Sequence, residues 1–324
     1  MILVTGGTGF LGSELIRQLL LQGKSVRAIK RESSVIPEIL EAAQLVEWRN
    51  ADILNFDDLN EAMEGVTTVY HCAAMVSFRK ADKKMMRRIN IEGTANLVNI
   101  CLENRISKFL HVSSVSAVGQ SKKDALISEK LHWQFDKYQS SYAISKYGSE
   151  MEVFRGIAEG LNAVIVNPSI IIGKNAGESG SGQFFRKVKD GLKFYPQGSC
   201  GIVDVEDVAG IMIRLMDSNL AGERYIINAV NISYLDLFTK IAQQYNLNPP
   251  NVKLQPWMLT GGYWASNLAK LLTGEDYGLT KEIVNSASKE TRYSNDKIKN
   301  ALTFGFKPID QSISEICVSA DKTS

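Results

Sequence analysis

The sequence predicts a doubly wound α/β fold, a parallel sheet covered by helices on both faces. Short, continuously apolar runs alternate with helical stretches through the first half, and a glycine-rich turn follows the very first run. Runs without polar alternation belong to strands buried on both sides.

The strand candidates are residues 1–5, 25–30, 44–48, 66–71, 107–113 and 161–166, each rich in Val, Ile and Leu. Helical segments at 10–22, 36–43, 57–63, 83–104 and 140–159 fill the gaps between them. Repeated βα units of this kind give parallel strands joined by right-handed crossovers. The 83–104 stretch carries an apolar stripe at Ile89, Leu97 and Ile100. It and 140–159 suit either cover for the sheet or a homodimer face.

Beyond Asn167-Pro168 the pattern loosens. The loop 173–182 (GKNAGESGSG) leads to a second, smaller lobe, with helices expected at 183–190, 205–217, 233–245, 257–272 and 295–302. The expected division is 1–167 for the sheet domain and 168–324 for the second lobe, with some segments returning to the first.

A chain of 324 residues with 44% hydrophobic and 22% charged residues has the composition of a folded globular protein, not a disordered one. A net charge of +2 is too small to point to nucleic acid. No apolar run reaches the roughly 18–20 residues that cross a bilayer. Met1 leads through Ile2-Leu3-Val4 into a glycine turn, where a secretory h-region would have to continue, so the expectation is a cytoplasmic protein. Cys72, Cys101, Cys200 and Cys317 lie far apart, and His71, His111 and His132 lack ligand spacing. Reduced thiols and no metal are the reading.

Residues Val4-Thr5-Gly6-Gly7-Thr8-Gly9-Phe10-Leu11-Gly12 join the first strand to the first helix. Gly7, Gly9 and Gly12 match G-x-G-x-x-G, and Gly6 allows a second register, Gly6-x-x-Gly9-x-x-Gly12. Glycines there permit a tight turn and close approach of backbone N–H groups to a pyrophosphate at the positive helix end. The second strand ends Val26-Arg27-Ala28-Ile29-Lys30-Arg31. An acidic residue at that end would serve the ribose 2′-hydroxyl of NAD, whereas Lys30 and Arg31 suit the 2′-phosphate of NADP. Glu32 beside them keeps NAD as the alternative. Asp52 and Ile53, past the third strand, are candidate contacts for the adenine.

Tyr142 and Lys146 stand four residues apart in a helical stretch and share one face. A neighbouring ammonium favours phenolate character, which brings a tyrosine toward the working range of an acid–base catalyst. The spacing recurs at Tyr277/Lys281 and Tyr293/Lys297, which lie away from the glycine loop's sheet and read as chance. Ser113-Ser114 follows His111-Val112 at the end of the fifth strand candidate, the edge where such sheets bind ligands. Ser114 is the candidate for hydrogen bonding a substrate oxygen, with Ser113 and Ser116 as rivals.

Gly6-x-x-Gly9-x-x-Gly12, His71-Cys72-Ala73-Ala74, Asn90-x-x-Gly93-Thr94, Ser113-Ser114, Tyr142-x-x-x-Lys146 and Val203-Asp204-Val205-x-Asp207-Val208-Ala209 occur in that order. Together they resemble the extended short-chain dehydrogenase/reductase superfamily over roughly residues 1–215. The resemblance implies a Rossmann-type fold with a C-terminal substrate-binding lobe and a Ser114–Tyr142–Lys146 triad. It also implies cofactor contacts from Ala73, Ala74, Asn90, Tyr142, Lys146 and Pro168. Asn90 is the candidate for a proton relay.

Within the superfamily, sugar-nucleotide dehydratases carry Asp-Glu where this chain has Val115-Ser116. Epimerases commonly have Tyr where it has Val118, and many sugar-nucleotide members have Arg-Pro where it has Asn167-Pro168. Val26-Arg27-Ala28-x-x-Arg31 and Asn167-Pro168-Ser169 resemble instead the dihydroflavonol-reductase-like and 3β-hydroxysteroid-dehydrogenase-like branch. The implied activity is NADPH-dependent reduction of a carbonyl on a small or mid-sized organic substrate. The alternatives are an NAD-dependent sugar-nucleotide epimerase and a non-catalytic NADP sensor.

Other features read as structural first. Arg79, Lys80, Lys83, Lys84, Arg87 and Arg88 suit a solvated helix face, with an anionic-substrate or membrane-surface patch as the sharper alternative. Trp257, Met258, Leu259, Tyr263 and Trp264 suit core before pocket. Met75, Phe78 and Phe184 are pocket candidates, and His71 and His111 read as packing residues.

Overall fold

The computed structural model describes residues 1–40, 45–119, 126–135, 139–177, 180–255, 258 and 288–322. The first half runs β1 (Ile2–Thr5), α1 (Phe10–Leu21), β2 (Val26–Lys30), β3 (Val46–Asn50), α2 (Phe56–Ala62), β4 (Thr68–His71), α3 (Lys83–Arg87), α4 (Gly93–Glu103), β5 (Lys108–Val112), α5 (Ser141–Ala158) and β6 (Ala163–Pro168). The second half adds β7 (Ile170–Ile172), α6 (Gly182–Lys189), β8 (Phe194–Tyr195), β9 (Ser199–Asp204), α7 (Val205–Asp217), β10 (Arg224–Ile227), β11 (Val230–Ser233), α8 (Tyr234–Gln244) and β12 (Val252–Lys253). Two further helices, α9 (Asp296–Leu302) and α10 (Ile309–Lys322), close the described chain.

Seven strands pair in the order β10-β6-β5-β4-β1-β2-β3, all parallel. The order reverses beside β1, so its C-terminal end opens on the crevice where such sheets bind ligands. Successive residues of a strand face opposite sides. Leu3, Phe109, Ala163 and Ile165 accordingly pack with Leu59, Leu97 and Val153 of α2, α4 and α5. Their neighbours Val4, Leu110, Val164 and Val166 pack with Leu15, Leu19, Val208 and Met212 of α1 and α7. Both faces are dry, which is why these strands read as unbroken apolar runs.

The second lobe has its own core. Ile172, Phe185, Ile202, Leu237, Ile241 and Ile313 bring together β7, β9, α6, α8 and α10. β11, β9 and β7 form a three-stranded sheet there. The chain then crosses back, since β10 pairs with β6 at the edge of the main sheet.

The long helix read at 83–104 is broken. α3 ends at Arg87, a wide π turn spans Arg88–Glu92, and α4 begins at Gly93. The widened turn carries buried Asn90, whose carbonyl accepts from the Thr94 hydroxyl at 2.6 Å. Such bulges gather at functional sites. In the 36–43 stretch only Glu38–Leu40 forms a described helical turn, directly after Pro37. Trp257, Leu259, Tyr263, Trp264 and the Tyr277/Lys281 pair lie outside the described residues.

Candidate active site

The glycine loop is shaped by its own close contacts. Gly6 adopts φ +67°, the left-handed region, and a Cβ there would press on the Ala73 backbone at 2.7 Å. A Cβ on Gly12 would strike the Gly6 carbonyl. Gly9 N–H donates to that same carbonyl at 2.9 Å, closing the turn. Ser140, Asp204 and Ser233 cap α5, α7 and α8 with their side chains, but Gly9 offers α1 none. The first-turn N–H groups, those of Phe10 and Leu11 among them, have no carbonyl partner inside the helix. They form a cradle of bare donors at the positive end of a helix dipole, which fits a pyrophosphate.

The ends of the next strands border a hollow beside this loop. A cavity of about 620 Å³ is lined by Arg31, Glu32, Ser33, Asn50, Ala51, Asp52 and Asp58. Arg31 and Asp52 therefore converge; Lys30 and Ile53 do not line this cavity. Asp52 closes a local turn by accepting from Leu54 N–H at 2.9 Å. Ile53 is buried against α4, where a Cβ on Gly93 would meet its Cδ1 at 2.6 Å.

Ser114 caps the turn after β5, accepting from Ser116 N–H at 3.2 Å. Its hydroxyl lies near the Tyr142 phenol and makes it more acidic. Burial outweighs that effect and raises the phenol above its ordinary range. This differs from the lowering expected of a nearby ammonium. The Lys146 Nζ is bonded elsewhere, donating to the Val112 carbonyl at 2.7 Å. Burial brings Lys146 down to about 8, while Glu150 and Cys72 act in the other direction. Of the rival serines, Ser113 is buried with no partner for its hydroxyl. Phe78 stands beside the phenol, ring centroids 6.1 Å apart, and is half exposed.

The Asn90 side chain is bonded within the fold. Its Oδ1 accepts from Met75 N–H at 2.7 Å, and its Nδ2 donates to the Met75 carbonyl and Ser145 Oγ, each at 2.9 Å. It thereby fixes the loop after β4 that carries Ala73 and Ala74. A polar chain backs the same loop. Ala73 N–H donates to Thr5 Oγ1, whose hydroxyl reaches His71 Nδ1 at 2.7 Å; His71 Nε2 meets Thr94 Oγ1 at 2.9 Å. Thr94 donates its own proton to the Asn90 carbonyl, so Nε2 carries the imidazole proton. Burial and the Lys146 charge push His71 down to about 3, so it stays neutral. His111 is likewise held neutral by burial and donates to Ser149. Both histidines do more than pack: each ties a strand to a helix.

Sequence reasoning passed over a second buried polar group. Asn167, at the end of β6, donates to the Ser114 carbonyl at 2.9 Å and also to the Glu150 carboxylate. Arg224 of β10 pairs with Glu150 at 3.2 Å. The available signal was Glu150 itself, a carboxylate one helical turn beyond Lys146.

Other candidates fall elsewhere. Phe184 packs edge-on against Tyr234 and Phe238 in the second lobe. Lys297 turns away from Tyr293 to the Arg224 carbonyl at 2.7 Å and Glu223 at 2.8 Å. In the basic cluster Arg79 pairs with Asp82 and Arg88 with Glu92, while Lys83, Lys84 and Arg87 are exposed. Among the described residues no group of His, Cys, Asp and Glu could hold a metal, and no helix is long and apolar enough to cross a membrane.

Residues 2–230 match the model of the NAD dependent epimerase/dehydratase family. A Synechocystis sp. protein carrying a provisional dihydroflavonol 4-reductase name is 29% identical, covering 96% of this chain and 92% of that one. Vestitone reductase of Medicago sativa is 27% identical over 69% of this chain and 75% of its own length. The crystal structure of gox2253 superposes with a TM-score of 0.86 at 28% identity, covering 100% of this chain and 98% of that one. The glycine cradle, the seven-stranded parallel sheet and the family match agree: the chain belongs to the NAD-dependent epimerase/dehydratase family and is an NAD(P)-dependent oxidoreductase of the extended short-chain dehydrogenase/reductase type.

Proposed function

We propose that this enzyme reduces a carbonyl group on a small or mid-sized organic substrate with NADPH, using Ser114, Tyr142 and Lys146. The observation that carries the reading is the placement of Ser114, after β5, beside Tyr142, with Lys146 of the same helix bonded to the Val112 carbonyl at the C-terminal edge of the sheet. NADPH, when bound, supplies the hydride. Tyr142, kept protonated by burial, is the acid that delivers a proton to the carbonyl oxygen. The Ser114 hydroxyl donates to that same oxygen and stabilises charge developing there. Lys146 supplies a fixed positive charge behind the phenol. Gly6, Gly9, Phe10, Leu11 and Gly12 hold the pyrophosphate. Lys30 and Arg31 meet the 2′-phosphate, Asp52 and Ile53 the adenine, and Ala73, Ala74 and Pro168 complete the cofactor groove. The second lobe, mainly residues 168–324, shapes the substrate pocket.

Reduction is favoured over sugar-nucleotide epimerisation by Val118 and Asn167-Pro168, and by relatives named as reductases. The test follows NADPH absorbance, with NADH alongside, against aldehydes, ketosteroids and flavanonols. Consumption of NADPH ahead of NADH supports the reading. No consumption across the panel by enzyme with cofactor bound overturns it in favour of the epimerase or the non-catalytic NADP sensor.

A further inference from the structure

Glu150 is fully buried, yet it carries a carboxylate. An unpaired charge in such a place costs several kcal/mol, so its partners reveal what holds it there. Arg224 Nη1 reaches one carboxylate oxygen at 3.2 Å. Asn167 Nδ2 reaches the other. The same Asn167 nitrogen donates its second hydrogen to the Ser114 carbonyl at 2.9 Å. Its orientation is forced, because a reversed amide would set its oxygen against a carbonyl and a carboxylate. Arg224 is anchored in turn: Nη2 donates to the Glu129 and Leu131 carbonyls at 3.1 and 2.8 Å.

We propose that Glu150 is a positioning residue of the reaction, whose buried carboxylate keeps Lys146 in its ammonium form and, through Asn167, fixes the Ser114 backbone. The inference rests on the assignment of Ser114, Tyr142 and Lys146 made above. Two of those three residues feel one carboxylate, by different means. Ser114 is tied by a chain of hydrogen bonds through β6. Lys146 precedes Glu150 by one turn on the same face of α5.

The charges around Lys146 leave Glu150 with that task. From β4 and the residue after it, His71 and the Cys72 thiol approach the ammonium. His111 faces it from β5. Both imidazoles are neutral, and burial keeps the Cys72 thiol protonated by pushing it up to about 12. On α5 the remaining titratable neighbours are Tyr142, held as the phenol, and Glu150. Arg224 of β10 lies beyond the carboxylate. The Glu150 carboxylate is thus the one negative charge near the ammonium among the described residues. It opposes the desolvation that lowers Lys146.

The deciding measurement is a titration without turnover. In cofactor-free enzyme with 13C at the lysine Cε, the Lys146 resonance is assigned by its loss in Lys146→Arg and followed with pH. The wild-type midpoint is expected near the value of about 8 that burial sets. In Glu150→Gln it should fall by about one pH unit, the effect of removing a nearby opposite charge. Glu150→Asp, which restores the charge, should return it toward the wild-type position. An unmoved midpoint in Glu150→Gln makes the residue packing alone and overturns the proposal. Should Glu150→Gln fail to fold, Glu150→Gln with Arg224→Met removes both buried charges together. A smaller fall is expected there, because the more distant Arg224 cation that opposed Glu150 is lost with it, and an unmoved midpoint again overturns the proposal. The reductase assignment is decided separately by turnover of Tyr142→Phe, so neither failure imitates the other.

Discussion

The Lys146 ammonium donates to the Val112 carbonyl at 2.7 Å, joining α5 to the end of β5 two residues before Ser114. A buried ammonium with a midpoint near 8 is cationic below that pH and loses its proton above it. NADPH-dependent turnover should therefore decline as pH rises through about 8. For stability the sign is opposite. Between about 8 and the ordinary value of 10.5 the unfolded chain holds this proton and the folded chain does not, so the cost of burying the ammonium, full below about 8, is relieved across that window. A kcat profile flat to pH 10 would remove Lys146 from the reaction.

Tyr142→Phe removes the proton donor and keeps the ring that packs by Phe78. Turnover should fall about 10³-fold, the usual worth of a positioned acid. Cofactor affinity, measured by quenching of protein fluorescence, should stay within about twofold, because the phosphate cradle is untouched. Wild-type kcat in this variant would end the assignment.

Arg31→Ala should raise the NADPH KM roughly 10- to 100-fold, the loss of a charge-assisted contact, and leave the NADH KM unchanged. Equal effects on both cofactors would place Arg31 outside the 2′-phosphate site. Its position on the cavity shared with Asp52 motivates the test.

Gly12→Ala pushes a methyl into the Gly6 carbonyl, and backbone on both sides leaves it nowhere to go. Destabilisation of about 1–3 kcal/mol by urea unfolding is expected, with loss of cofactor binding. Cofactor binding at wild-type strength would show that the loop opens freely.

Lys307 is the hub of a polar cluster that ties α10 to the start of α7. Its Nζ meets Glu315 at 2.7 Å, Glu206 at 3.3 Å and Asp204 at 3.6 Å. Lys307→Met removes the cation these carboxylates share, although Glu315 keeps Lys174 at 3.0 Å, and should cost about 1 kcal/mol in urea unfolding. The Lys307 bond holds Glu315 down to about 2, so its contribution is present above 4.5 and lost as pH falls toward 2. Burial instead raises Asp207 to about 6, so ionising it works against the fold between its ordinary value of 3.8 and that pH. A variant as stable as wild type would show the cluster to be solvated.

By itself the sequence determined the sheet and its phosphate loop, because both follow from local rules. Leu3 and Val4, like Phe109 and Leu110, are apolar on both faces of a strand, and that pattern survives without knowing the neighbours. Gly6, Gly9 and Gly12 are needed by backbone geometry within seven residues. The strands of the second half escaped because they are short and lean on distant partners; Arg224–Ile227 becomes a strand only by pairing with β6. The break at Arg88–Glu92 escaped for a similar reason, since helical periodicity continues across it while Asn90 is drawn to Met75 and Ser145. Only the tertiary structure decided the protonation of the site. Lys146, Tyr142 and Glu150 share one helix face in the sequence. How strongly water is excluded from each, and that Asn167 and Arg224 reach Glu150 from two other strands, are properties of the packed sheet.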